Sequence, residues 1–467
     1  MLIVGAGIGG LAAANRILNL ARDRRQSLEV VVLEAASRAG GVLGTERHEG
    51  ALLERGPDTL VTHKPAGLTL CAALGLGGSV VSSPPGRADI LHNDRLLPVP
   101  AGFALLAPTR ARPLLGSPLL SWIGKARALW EPRIRAEPPQ DGGDESVASF
   151  VRRRFGAEIC SRMTEPIVGG IYMADIERLS MAMTFPRFLV RERENGRIMG
   201  GGQSMPQARP GAPPSIVTLN GGLGVLLNAL AGRLPPGSLR LNRRAQCLRR
   251  EASRFVVDLL GGERQTGDAV LIATPADHAA EIIATLDSGL AERLHDLRCA
   301  SCVTINLGWP RSVVTQLPRS HGFFVPRDTG SPLVAASFPS LKFPDRIPPE
   351  QFVARAFLGG ALHPEIAAKT DDELIEISTR LLMPLLGSRQ GPIWSRVFRH
   401  PQSMPQRDVG HATRVERIRA DLRGQEGLEL AGGPIGAYGV PDSIAEGEAA
   451  AERLFDWIVR SSRGGGG

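Results

Sequence analysis

The stretch "LIVGAGIGGLAAANRILNLARD" (residues 2–23) constrains the fold more than any other part of the chain. Three apolar residues run into Gly5-x-Gly7-x-x-Gly10. Leu11, Ala12, Ala14, Ile17, Leu18 and Ala21 then recur at helical spacing. Gly5 permits the tight strand-to-helix bend, Gly7 lets the backbone approach a phosphate, and Gly10 lets the helix lie close to the sheet. Ala6, Ile8 and Gly9 complete the turn, and the helix N-terminus offers unpaired N–H groups and a favourable dipole to an anion. "LEVVVLEAA" (28–36) reads as a second parallel strand, buried and β-branched, and Glu34 and Ala35 stand at its end. Glu34 lies at the interval beyond Gly10 expected of a ribose-binding carboxylate. Any one glycine is an ordinary turn residue; strand, glycines, helix, strand and acid together predict a dinucleotide site.

A chain of 467 residues admits two or three domains around a large core. Mean hydropathy is −0.03 and no apolar run reaches the length of a membrane span, so none is expected. Met1 leads straight into the first strand, which argues against a secretory signal. Five scattered cysteines fit a reducing compartment, and the expected location is the cytoplasm. The net charge of +8 does not point to nucleic acid. Only four lysines accompany 51 arginines, the arginines are spread along the chain, and no nucleic-acid motif is present. That bias reflects codon composition, while a weak attraction to anionic lipid remains.

Pro/Gly-rich breaks at 137–146 ("EPPQDGGDES") and 196–214 read as mobile loops. "RFVVDLLGGERQTGDAVLIATPA" (254–276) reads as a hairpin leading into a buried strand, and "GLELAGG" (427–433) as another short strand before a good helix at 442–459. The expected fold class is α/β. A Rossmann-like dinucleotide domain is assembled from 1–60, 215–290 and 400–460, with a mixed-sheet substrate domain from 61–100 and 291–399. A helical lobe spans 101–214 and a disordered tail 461–467.

Further signals follow in order: "SRAGG" (37–41), "LERGPDT" (53–59), "TEPIVGGIYMADIERLSMAMTFP" (164–186), "VLIATPADHAAEII" (270–283), "MPQRDVGH" (404–411) and "LAGGPIGAYGVPDSIAEGEAAA" (430–451). With these the sequence resembles the protoporphyrinogen oxidase family of FAD enzymes, within the amine-oxidase-like flavoproteins. The resemblance is ordered over nearly the whole chain. It implies FAD, with Glu34 on the adenosine ribose and Arg38, Gly40, Gly41 and Val42 in a second turn near the pyrophosphate. It sets Gly56, Pro57, Asp58 and Thr59 beside the isoalloxazine, and Tyr438, Gly439 and Val440 at a helix start near flavin N1 and O2. Ala245 is expected beside the adenine and Trp394 beside the flavin. Where relatives carry an aromatic after Pro-Gln, this chain has Arg407.

The implied reaction is oxidation of a porphyrinogen by hydride transfer to flavin N5, three such steps and three reoxidations by O2 giving H2O2 in heme biosynthesis. No side chain is singled out as catalytic and no metal is expected. Cys299 and Cys302 have redox-like spacing but lie in a strand-like run, which favours core packing. The resemblance makes Arg87 the propionate anchor, since an arginine can hold a carboxylate by two parallel hydrogen bonds. It sets the Gly170 carbonyl against the pyrrole N–H groups and Phe323, Phe324 and Phe357 around the macrocycle. One anchor facing three phenylalanines favours protoporphyrinogen IX, with coproporphyrinogen III as the alternative and Arg355 among the arginines that could supply further anchors. Residues 101–135, apolar and studded with arginine, read as a peripheral membrane contact through Leu119, Leu120 and Trp122. The expected partners are thus the porphyrinogen, O2 and a membrane surface, with a homodimer left open. A flavin amine oxidase is the main rival, disfavoured because few lysines are available to stand near flavin N5. A desaturase or a non-catalytic FAD protein ranks lower.

Overall fold

The computed structural model describes residues 1–136, 143–200 and 215–464. Most of the two Pro/Gly-rich breaks and residues 465–467 lie outside them.

Leu2–Val4 is the middle strand of a five-stranded sheet, in the order Leu239–Arg240, Val31–Leu33, Leu2–Val4, Val270–Ile272, Leu428–Leu430. All four pairings are parallel. A parallel sheet is covered on both faces, which is why "LIV", "VVL" and "VLI" are apolar without alternation and buried throughout. The first helix, Ile8–Asp23, lies on one face against the last, Val440–Gly464. They meet at their backbones: a Cβ on Gly447 would stand 2.2 Å from the Gly9 carbonyl oxygen. The last helix continues through 461–464, residues the sequence pattern assigns to a disordered tail.

The second sheet has seven strands, in the order Trp394–Pro405, Cys299–Pro310, Gln351–Gly359, Leu333–Ser337, Gly322–Phe324, Ala88–His92, Arg95–Pro98. It is mixed, since Gly322–Phe324 and Ala88–His92 run parallel and the other pairs antiparallel. Paired residues share a face. Ile305, Ala356, Ala336 and Phe323 form one face, buried with Leu374 and Leu382 of the Asp371–Leu386 helix. Thr304, Phe357, Ala335 and Phe324 form the other, which receives the loop after the Ala51–Glu54 strand.

Short helices between 111 and 195 make a third layer around Phe150, Val151, Phe155 and Phe188. Leu119 and Leu120 belong to this core, at 0% and 5% exposure, so they are not available to a membrane; Trp122, Ile123 and Trp130 are the most exposed large apolar residues of that stretch. The core also holds charge. Arg154 and Glu131 are both fully buried and ion-paired, and Arg153 bridges Glu145 and Glu192. Glu131 additionally accepts the amides of Ile198 (2.8 Å) and Met199 (3.0 Å).

Removing one partner of a buried pair strands the other charge, whereas removing both need not destabilise. Glu131→Ala should therefore cost about 3–5 kcal/mol in urea unfolding, and the double replacement Glu131→Met, Arg154→Met should recover most of it.

Candidate active site

The glycine turn is built as its sequence requires. Gly5 is left-handed (φ 102°), and a Cβ there would lie 2.9 Å from the Ala273 oxygen. A Cβ on Gly10 would collide with the Gly5 oxygen at 2.0 Å. Gly7 differs: its φ is −66° and an added Cβ would meet nothing within 4 Å, so the space in front of the helix N-terminus is open. Glu34 is fixed beside it, one carboxylate oxygen accepting the Ala6 amide (2.8 Å) and the other the Ala36 amide (2.9 Å). Each oxygen retains a lone pair for a hydroxyl. The Arg243 amide donates to the Glu34 carbonyl (2.7 Å), which brings the Ala245–Glu251 strand, and Ala245 at its start, to the same edge.

The second turn leans on the first. The Gly40 amide donates to the Ala6 carbonyl (2.7 Å), and Gly7 and Gly40 form a bridge. Arg38 acts here as a fastener. Its guanidinium donates to the carbonyls of Ala39 (3.1 Å), Leu43 (2.8 Å) and Gly41, holding Gly40, Gly41 and Val42 in place. A Cβ on Gly56 would stand 2.2 Å from the Val42 oxygen, so the two loops meet backbone to backbone.

Beyond Gly56 the site passes onto the seven-stranded sheet. The Arg55 carbonyl accepts hydrogen bonds from Thr304 Oγ1 (2.7 Å), His400 Nε2 (2.9 Å) and Arg355 Nη2 (3.3 Å), and Arg355 also donates to the Gly56 carbonyl. Burial, with Arg355 and Arg55 nearby, pushes His400 down to about 4, so its ring is neutral and donates through Nε2. Asp58 pairs with Lys342 at 2.8 and 3.0 Å. Burial opposes its charge, yet Lys342 and Arg355 hold the carboxyl down at about 2. Asn306, Arg355 and Ser337 lie in one row across three strands. Asn306 Nδ2, Arg355 Nε and Ser337 Oγ are buried there with no hydrogen-bond partner among the described residues. Orphaned polar atoms of this kind are satisfied by water or a ligand.

At the start of the last helix the Tyr438 hydroxyl donates to the Ile171 carbonyl (3.0 Å), and its ring lies 4.7 Å from that of Tyr172. The Tyr438 amide turns to Asp442 (3.4 Å), which also pairs with Lys64 (2.7 Å), leaving Gly439 and Val440 to open the helix. Arg407 lies over the Tyr438 ring at 5.6 Å and donates to the carbonyls of Gly436 and Met183.

The pocket residues divide. Gly170 and Phe324 meet, since a Cβ on Gly170 would stand 2.7 Å from Phe324 Cδ1. Met173 is left-handed, and the amides of Met173 and Ala174 both turn to the Gly169 carbonyl, so Ala174 does not serve the Gly170 carbonyl as a continuing helix would. Phe357 shares the face with Phe324, under the Arg355 guanidinium at 4.8 Å. Phe323 does not join them: adjacent strand residues point to opposite faces, and it is buried against Phe338 at 5.9 Å. Arg87 is half exposed and paired with buried Asp89 at 3.0 Å. Arg355, offered above as a carboxylate anchor, is buried and committed to loop carbonyls. Trp394 is brought elsewhere. It stacks edge-on with His48 at 5.2 Å and donates to Gln351, about 20 Å along its strand from His400. The thiols of Cys299 and Cys302 are both pushed up to about 11 by burial.

Sequence reasoning missed Thr304, Arg355 and His400 as loop fasteners, and Lys342. Lys342 bears on the amine-oxidase comparison, because one of the four lysines does reach the Gly56–Thr59 loop. Scarcity of the residue type was the available signal.

The glycines give a paired expectation. Gly7→Ala should leave the melting temperature of the flavin-free protein unchanged while weakening FAD binding in a titration, since its Cβ enters only open space. Gly10→Ala should destabilise the protein itself by about 1–3 kcal/mol, the cost of overpacking.

The flavin containing amine oxidoreductase family matches residues 8–455. The chain is 29% identical to a coproporphyrinogen III oxidase of Bacillus subtilis over 98% of both chains. It is 31% identical to one of Propionibacterium freudenreichii, over 98% of this chain and 90% of the other. A chloroplastic protoporphyrinogen oxidase of Nicotiana tabacum is 28% identical, over 98% and 86%. Among solved structures, a protein from Exiguobacterium assigned provisionally as a protoporphyrinogen oxidase superposes with a TM-score of 0.85 at 27% identity, covering 97% of this chain and 98% of that one. With the open glycine turn, the fixed Glu34 carboxylate and a family match over most of its length, the chain belongs to the flavin containing amine oxidoreductases, and FAD is its cofactor.

Proposed function

We propose that this protein oxidises a porphyrinogen with O2 as acceptor, as a step of heme biosynthesis, and that coproporphyrinogen III is the preferred substrate. The single observation that carries the reading is near-full-length similarity to coproporphyrinogen III oxidases of B. subtilis and P. freudenreichii. FAD, when bound, supplies a two-electron acceptor for a hydride. The chain's own residues orient the substrate: the Gly170 carbonyl faces pyrrole N–H groups, with Phe324 and Phe357 on the apolar side.

Coproporphyrinogen carries four propionates and protoporphyrinogen two, with two vinyls. Every buried carboxylate needs a partner. The three-phenylalanine argument for vinyl groups loses Phe323 to the core. Cations are better supplied than the sequence suggests. Besides Arg87, Arg187 lies near Tyr172 and over the Phe188 ring at 5.9 Å, with no ion pair among the described residues. The ratio of kcat/KM for the two substrates tests the assignment. A higher value for coproporphyrinogen III is expected, and a higher value for protoporphyrinogen IX reverses it.

A membrane surface is the proposed second partner. Trp122 (76% exposed), Ile123 (83%) and Trp130 (57%) form an apolar tip, with Lys125 4.4 Å from the Trp122 ring and Arg133 5.0 Å from that of Trp130. No helix among the described residues is long and apolar enough to cross a membrane, so the contact is interfacial. Flotation with anionic liposomes should fall on Trp122→Ala, Trp130→Ala and in high salt, with the melting temperature unchanged. Undiminished flotation of the double variant rejects this tip as the contact.

A further inference from the structure

We propose that Glu165 accepts, through water, the pyrrole N–H proton that the substrate loses as it is oxidised, and passes it to solvent along a cavity on its other side. The inference rests on the porphyrinogen reading and names a residue for its proton.

Two partly open cavities share Glu165, an inner one on the Gly170 side and an outer one on the Asp175 side. The inner one, about 20 Å³, is lined by Gly169, Gly170, Val334, Gly359 and Glu165. That volume holds about one water. Gly170 is the residue whose carbonyl is released from the helix ladder and packs against Phe324. The outer cavity, about 400 Å³, is lined by Arg152, Glu177, Asp175, Asp328 and Glu165. Only Glu165 and Arg327 line both. Glu165 stands at the start of the Glu165–Tyr172 helix, and its Oε2 accepts the Arg327 amide at 3.0 Å. Its Oε1 lies on the Gly169 side, 3.4 Å from where a Cβ on that residue would sit.

The groups facing this carboxyl set its proton affinity. Burial raises it, the Arg327 amide and guanidinium lower it, and Asp328 and Asp175 raise it again, to about 7. Across the outer cavity Arg152 is taken up by Glu177 at 2.7 Å, and Arg327 lies 4.0 Å from Asp175. Cys160 lines the outer cavity and His363 the inner one. A carboxyl poised near neutrality can both take a proton and release it.

The step balances. In each two-electron oxidation the substrate loses a hydride from a bridging carbon and one proton; over the three steps two of these protons come from pyrrole nitrogens and one from the fourth bridge. The hydride goes to the flavin and the proton to the Glu165 carboxylate. Reoxidation delivers the two electrons, the hydride's hydrogen and one further proton to O2 as H2O2, and that proton offsets the one Glu165 releases.

The test is anaerobic reduction of the FAD-loaded enzyme by coproporphyrinogen III, followed by flavin bleaching from pH 5.5 to 9. The wild-type rate should fall tenfold per pH unit below a limb near 7. Glu165→Gln should lose that limb and slow reduction by about a hundredfold or more. Asp328→Asn removes a negative neighbour and should move the limb to lower pH, which a purely structural role for Glu165 would not do. If Glu165→Gln retains the wild-type limb, the inference is overturned. If that variant fails to bind FAD, an unmoved limb in Asp328→Asn overturns it instead. Failure of either porphyrinogen to bleach the wild-type enzyme counts against the porphyrinogen reading and is distinct from both.

Discussion

The Arg55 carbonyl is the point on which both halves of the molecule depend. It belongs to the strand-and-loop segment that runs from the cofactor sheet, yet its three side-chain donors, Thr304, Arg355 and His400, come from three adjacent strands of the other sheet. Hydrogen bonds from charged or buried donors in a low-dielectric setting are strong, and removing a donor leaves an acceptor unsatisfied. The loop at Gly56–Thr59 is therefore positioned by the seven-stranded sheet rather than by its own turn. Lys342 repeats the arrangement one step along at Asp58, and Arg346 again at Glu54 (3.2 Å). Arg355, Lys342 and Arg346 thus grip one short segment, residues 54–58.

The same grip explains a cost the structure carries. Arg355 is buried with only part of its guanidinium engaged, in a row with Asn306 and Ser337 that has unsatisfied polar atoms. An ordinary core would replace such a row with apolar residues. The row lies beneath the Gly56–Thr59 loop, and polar atoms orphaned in this way are satisfied by water or a ligand.

Much of this was legible in the sequence because the nucleotide-binding end is local. Gly5, Gly7, Gly10 and Glu34 lie within one strand–helix–strand unit, and their chemistry is set by spacing. Period-two alternation within "HGFFVP" already requires that Phe323 and Phe324 face opposite ways, so their division was available from strand geometry alone once the strand was assumed. The contacts of Arg55, Asp58 and Glu54 were not legible. They join residues hundreds of positions apart through sheet register, and no single-sequence pattern encodes which of many arginines reaches which carbonyl. Trp394 illustrates a related limit of local patterns: its strand is long, and position in sequence sets the strand, not how far along it the ring sits.

The order in which the cofactor sheet is threaded has a consequence for biogenesis. Its central strand, Leu2–Val4, is separated by hundreds of residues from its edge strand, Leu428–Leu430, and from the helix whose Gly447 rests on Gly9. During synthesis the Val270–Ile272 edge and the face of the first helix that meets Gly447 have no partner until the 428–464 segment has emerged. Non-local closure of this kind is slow and exposes a strand edge to aggregation. Pairing of the Val270–Ile272 edge therefore waits on the 428–464 segment.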